Sequence, residues 1–342
     1  MISGLIRRRW PIPVIVLVLV IMLVGLALTS QPDEDALVIY NGRSHYGEEK
    51  VFEDFAKEQG IKIVLRGGTA PELYERLRKE GDDTPADLLV TTDLANLWRA
   101  ESSGLLKKVS SAALEANIAP ELQDPDREWF PITTRLRVPV VSTERIAPGQ
   151  VTSYEDLADP RYKGRVCLRT SNNEYNQSLV ADMIAKRGPE ATEKLLRSWM
   201  ANSPKIVNSD GEALAMMAAG DCDIALANHY YLARALMENK KFPVAPAWPD
   251  QTGAGAHANV SGAGVVRSSN HTKEAIALLE YLTSRAGQKE IVSRGEFPAN
   301  PTVDPIPTVA AWGAPKVDPI DVQRAGPLLA DAIQLMADVG WN

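Results

Sequence analysis

Along this chain, short apolar runs alternate with longer stretches whose apolar positions recur every three or four residues. A continuous or period-two apolar run marks a strand, and a period near 3.6 marks a helix. Residues 36–40 read as a strand, and 48–59 as a helix with Val51, Phe52 and Phe55 on one face. A second strand at 61–65 ends at Gly67 and Gly68. Pro71 then opens a helix over 71–80, where its missing N–H costs nothing. A strand at 86–90 leads to Asp93, which caps a helix reaching Glu101. This alternation predicts βαβ units and a mainly parallel sheet.

The rhythm loosens over 107–131 and returns as an extended run at 134–142 that carries Arg135 and Arg137. A helix and turn are expected at 154–164, a strand at 165–168, helices at 175–186 and 189–200, and a strand at 205–207. A helix at 210–219, a strand at 223–227 and a helix at 230–239 follow. The extended run 258–266 is interrupted by Gly262 and Gly264, and helices are expected at 272–284 and 288–293. A proline-rich stretch, 298–319, precedes a last helix near 320–339. The runs at 134–142 and 258–266 are suited to cross between two lobes, and clefts between lobes are preferred ligand sites.

The first thirty residues stand apart. Arg7, Arg8 and Arg9 precede an uncharged apolar run over 12–28, and small residues follow it. This is the layout of a secretory signal peptide. The run is also close to the ~20 residues of a membrane span, so an uncleaved N-terminal anchor is the other reading. In both, the chain beyond about Gln31 lies outside the cytoplasmic membrane. Without the leader the chain carries 34 basic and 44 acidic residues, a net of −10. That balance argues against nucleic-acid binding, which needs a basic face. With only two cysteines, Cys167 and Cys222, no Cys-rich zinc site can be built. In an oxidising compartment the two either pair or stay as separate buried thiols.

No Gly-x-Ser-x-Gly, HExxH, P-loop or GxGxxG pattern occurs, which weighs against an enzyme. The tyrosines are more informative. Tyr46 follows His45 after the first strand, Tyr175 lies between a strand and a helix, and Tyr230 and Tyr231 follow His229 after the strand at 223–227. Open parallel sheets bind ligands beyond the carboxyl ends of their strands. Phenolates are hard anionic ligands suited to a hard cation such as Fe³⁺. A phenol ordinarily keeps its proton to about pH 10, but a bound cation removes it. Arg234, three residues after Tyr231, is placed to offset surplus negative charge, as are Arg135 and Arg43. Taken singly, each tyrosine is more often a half-buried packing residue, and His45 a hydrogen-bonded loop residue. Spacing alone leaves both readings standing.

Longer stretches carry a resemblance. YNGRSHY at 40–46, PADLLVTTDLANLWRA at 85–100, YEDLADPRYKGR at 154–165, NEYNQSL at 173–179, ANHYY at 227–231 and NVSGAG at 259–264 resemble the ferric-iron-binding periplasmic proteins of ABC importers, the Fbp/Fut type. The similarity covers nearly all of the chain after residue 35. It implies an α/β, two-lobed periplasmic binding protein fold of type II, each lobe a mixed, mainly parallel sheet flanked by helices, with crossing hinge strands. The lobes would be 36–134 with 256–305, and 135–255 with 306–342, after a leader at 1–30.

The resemblance further implies Tyr46, Tyr175, Tyr230 and Tyr231 as ligands of a transported Fe³⁺, with His45 as a fifth. Arg135 and Arg234 match positions near the metal, with Arg43 beside the first loop. Relatives usually place Arg directly before His-Tyr; here Ser44 intervenes. The expected protein is a monomer of the periplasm or of the outer face of the cytoplasmic membrane. It would deliver iron to an importer permease, touch the membrane only through its N-terminal segment and catalyse no reaction. The rivals are the same architecture serving a polyamine, sulfate or thiamine, and a membrane-anchored sensor.

Overall fold

The computed structural model describes residues 35–43 and 49–342. The leader at 1–30, and His45 and Tyr46 in the first loop, lie outside the described residues. Among those described, no helix is long and apolar enough to cross a membrane.

Among the described residues, eleven strands form the sheet: β1 (Ala36–Asn41), β2 (Lys62–Gly67), β3 (Leu88–Thr91), β4 (Phe130–Ser142), β5 (Val166–Arg169), β6 (Lys205–Val207), β7 (Ile224–Asn228), β8 (Val244–Pro246), β9 (Ala256–Val265), β10 (Phe297–Pro298) and β11 (Val317–Pro319). Their order is β2-β1-β3-β9-β4-β7-β5-β6, with β8 and β10 added to β4 and β11 added to β9. Pairing is parallel between β1 and β3 and within β7-β5-β6. It is antiparallel along β3-β9-β4-β7. Parallel pairs need helical crossovers, and the helices between these strands supply them.

The two extended runs foreseen in the sequence are β4 and β9. Along β4, residues Phe130 to Leu136 pair with β9, and Arg137 to Val141 pair with β7. β9 likewise changes neighbours, from β11 at Ala256–Ala258 to β3 at Gly262–Val265. Gly262 and Gly264 do not interrupt it. A Cβ on Gly262 would meet the Phe130 carbonyl at 2.8 Å, and one on Gly264 the Glu128 carbonyl at 2.7 Å. Glycine lets the two crossing strands approach.

Alternation along β4 separates two environments. Leu136, Val138 and Val140 enter an apolar cluster with Leu214 and Leu232, whereas Arg135 and Arg137, also buried, sit among polar partners. A second cluster joins Leu37, Ile39, Phe52, Phe55, Leu278 and Leu282 on the other side of the crossing.

Several expectations need correcting at their edges. The loose stretch holds a helix, Ala112–Asn117, started by the Leu114 amide donating to Ser111. Six residues are too few to show a period. The element at 154–164 is a pair of 3₁₀ turns, Glu155–Ala158 and Pro160–Tyr162. The helix expected at 288–293 begins earlier, at Arg285–Ile291, capped by Ser284. The last helix is split into Val322–Ala325 and Leu329–Asp338, because Pro327 lies between them and lacks an amide hydrogen.

Cys167 on β5 and Cys222 before β7 form a disulfide with a sequence separation of 55. It ties together the strands that carry the tyrosines. Replacing both by serine is expected to lower the unfolding free energy by about 2–4 kcal/mol through a freer unfolded chain. Urea titration measures this; a loss below about 1 kcal/mol would show the bridge to be incidental.

Candidate metal centre

β5 and β7 run parallel, with Val166 opposite Ile224 and Cys167 opposite Ala225. Their carboxyl ends are therefore neighbours. From the first end the chain turns into helix Glu174–Arg187, with Tyr175 at its second position. From the other it enters helix His229–Glu238, with Tyr230 and Tyr231 at the second and third. The N-cap residues of both helices, Asn173 and Asn228, make no side-chain cap bond. Two positive helix ends thus flank the place where the phenols gather.

The Tyr230 and Tyr231 rings stack with centroids 4.7 Å apart. Tyr175 is buried, and that burial raises its phenol well above the usual value near 10. Tyr230 and Tyr231 push it the same way and the Arg135 charge opposes them. Tyr175 therefore lies within electrostatic reach of the two phenols of the other segment. Guanidinium groups cover these rings: Arg135 lies 5.5 Å from the Tyr175 centroid and Arg169 5.8 Å. Arg234 lies 4.8 Å from that of Tyr230 and 5.9 Å from that of Tyr231. Such contacts favour anionic rings more than neutral ones. Tyr175, raised by burial, keeps its proton until a strong cation displaces it.

A buried frame positions these turns. Arg137 donates to Asp210 Oδ2 at 3.0 Å, to Asn176 Oδ1 at 2.8 Å and to Asn228 Oδ1 at 3.1 Å. Asn176 follows Tyr175, and Asn228 Nδ2 donates to the Tyr230 hydroxyl at 3.3 Å. His229 has a different role. The Leu136 amide donates to its Nδ1 at 3.1 Å, and its ring packs 4.7 Å from that of Phe297. Burial lowers its pKa to about 4, so it is a neutral core residue.

Arg43, the last described residue before the first loop, bonds Glu296 Oε2 at 2.7 Å, and Arg135 Nε lies 3.1 Å from Glu296 Oε1. The structure thus gathers Tyr175, Tyr230, Tyr231, Arg135 and Arg234, and joins Arg43 to Arg135 through Glu296. His45 and Tyr46 are outside the described residues. Glu296, Asp210, Arg169 and Asn228 were given no role at the site in the sequence reading. Arg137 was visible as the partner of Arg135 two positions along one strand, a spacing that sends both side chains to one face. A pair of same-face arginines in an apolar run calls for buried acids, and Asp210 and Glu296 are those acids.

The two halves of the fold also touch beside the tyrosines. Asp93, which caps helix Leu94–Ser102, accepts from Ser178 of helix Glu174–Arg187 at 2.6 Å and from Asn259 of β9 at 2.7 Å. Thr92 donates to Glu174 at 3.3 Å. Burial raises Asp93 to about 6, against the Ser178 bond that lowers it. A hydrogen bond to a charged acceptor contributes about 1.5–3 kcal/mol. Ser178→Ala is therefore expected to weaken the contact between the two halves of the fold roughly tenfold or more. Small-angle scattering reads this as a larger radius of gyration; an unchanged radius with and without ligand refutes it.

Residues 83–316 match the family model described as bacterial extracellular solute-binding protein. The chain is 36% identical over 318 residues to Iron uptake protein A1 of Synechocystis sp., covering 91% of this chain and 88% of that protein. A solved Trichodesmium structure, IdiA (FutA) in complex with iron and citrate ligands, is similar at a TM-score of 0.83 and 35% identity, covering 90% of this chain and 100% of that one. The ferric binding protein from Campylobacter jejuni gives a TM-score of 0.83 at 30% identity, with the same coverage of 90% and 100%. The two crossing strands and the mixed sheet are those of a type II periplasmic binding fold. The chain belongs to the family of bacterial extracellular solute-binding proteins.

Proposed function

We propose that this protein captures ferric iron in the cleft between its lobes, outside the cytoplasmic membrane, and presents it to the permease of an ABC importer. The convergence of Tyr175, Tyr230 and Tyr231 at the adjacent ends of β5 and β7, under Arg135, Arg169 and Arg234, carries this reading. Tyr46, with His45 beside it, completes the oxygen-rich ligand set from the first loop. The lobes are 36–134 with 256–305 and 135–255 with 306–342, hinged on β4 and β9, and capture closes one lobe onto the other. The protein works as a monomer in the periplasm or at the outer face of the membrane, where 1–30 serves as its leader or anchor. It makes and breaks no covalent bond.

Of the rivals, a polyamine fits least, because its ammonium groups would face several guanidinium groups. The decisive experiment loads the purified protein with Fe³⁺ and records its visible spectrum and metal content. A phenolate-to-iron charge-transfer band with one iron per chain is expected. Absence of the band, together with calorimetric binding of sulfate, thiamine or spermidine, would overturn the assignment.

A further inference from the structure

Glu296 is fully buried, and its two carboxylate oxygens face different guanidinium groups. Oε2 bonds Arg43 Nη2 at 2.7 Å and Oε1 lies 3.1 Å from Arg135 Nε. Arg43 is held on its other side by Thr133 at 3.1 Å and by Ser261. The backbone around Glu296 is fixed as well. Gly295 before it has φ +100°, and a Cβ there would come 2.7 Å from Ala233 on the Tyr230–Tyr231 helix. Phe297 after it pairs with Thr134 of β4. Burial alone would raise this carboxyl, yet Arg43, Arg135 and Arg234 together bring it down to about 2, so it stays an anion.

Its partners are the arginine before the first loop, the arginine over Tyr175 and, through space, the arginine over Tyr230 and Tyr231. Paired guanidinium groups beside a metal cleft are a natural seat for a small oxyanion, because their forks match its geometry. Here a side chain already sits between them. We propose that Glu296 is the resident anion of the site: its carboxylate fills the place between Arg43 and Arg135 that a small oxyanion would take, so the protein holds its cargo without one from solution. It acts as a positioning residue through the arginines, and the inference rests on the ferric reading.

Chemical rescue of the metal-free protein tests it without iron. Glu296→Ala leaves a hole of carboxylate size between two arginines. Its thermal midpoint is expected to fall, and added acetate is expected to restore most of the loss in a saturating manner. Acetate should leave the wild type unmoved, and also Glu296→Gln, whose side chain fills the hole. A folded Ala variant indifferent to acetate, or a wild type equally responsive, overturns the proposal. If the Ala variant does not fold alone, refolding with and without acetate gives the same decision. A second arm loads the wild type with Fe³⁺ and exchanges it into buffer free of carbonate, citrate and phosphate. The colour is expected to persist, and its loss on exchange refutes the resident anion. A colour that never forms counts against the ferric reading instead and leaves the acetate result to decide on Glu296.

Discussion

Changing Tyr230→Phe and Tyr231→Phe together is expected to abolish the visible charge-transfer band of the iron-loaded protein and to collapse its iron affinity. The substitution removes two hydroxyl groups and, with them, the hydrogen bond that Asn228 Nδ2 donates to Tyr230. The rings stack at 4.7 Å through their faces, and the apolar contacts of Tyr230, fully buried, are kept by phenylalanine. The fold should therefore survive, and a far-ultraviolet spectrum and thermal midpoint near those of the wild type serve as the control. On the proposed ligand set, what disappears is two anionic oxygen donors. Losing a residue that merely supports a ligand costs roughly 10–100-fold in metal affinity. Loss of two ligands should then exceed about 10⁴-fold, which competition with citrate can measure. Each single variant should keep a weakened and shifted band. Tyr281→Phe, on helix Thr272–Thr283 outside the cleft, should leave the spectrum alone. A double variant that still colours fully with iron would remove the phenolates from the ligand set.

The regular part of the fold was legible because burial imposes period on sequence. Val51, Phe52 and Phe55 are spaced for a helix face and are buried on one. Continuous apolar runs gave β1, β3 and β7 to within two residues. The elements that escaped were too short to carry a period, as with helix Ala112–Asn117 and β8, β10 and β11. Tyr175, Tyr230 and Tyr231 could be picked out as neighbours because they follow the carboxyl ends of strands, where such sheets bind ligands, and β5 and β7 run side by side. Their electrostatic frame could not be found in the same way. Glu296 meets Arg43 across 253 positions and Asp210 meets Arg137 across 73. Nothing local in the segment around Glu296 announces a buried carboxylate, because a lone acid after Gly and two positions before Pro usually belongs to a solvated turn. The same holds for the disulfide: the two cysteines signalled a bridge or two thiols equally, and only the parallel pairing of β5 and β7 brings them within 5.9 Å at Cα.

Asp210→Ala should cost about 3–5 kcal/mol of stability, the usual price of leaving one partner of a buried ion pair unmatched. Arg137 and Asp210 are both buried, joined at 3.0 and 3.4 Å, and Asp210 also accepts from the Asn228 amide at 3.1 Å. Removing the acid strands a guanidinium among neutral groups: Asn176, Asn228 and the Leu226 carbonyl. Asn176 and Asn228 are also the residues that fix the Tyr175 and Tyr230 turns, so iron affinity should fall along with the unfolding midpoint. The double variant Arg137→Leu with Asp210→Leu separates the two effects. Replacing a whole buried pair by apolar residues is often neutral for stability, so its midpoint should return most of the way. Its iron affinity should not return, because the two asparagines have lost the guanidinium that held them. Stability would thus follow the compensation of charge, and binding would follow the clamp. If affinity recovered together with stability in the double variant, Arg137 would be a structural ion pair with no hand in orienting the tyrosines.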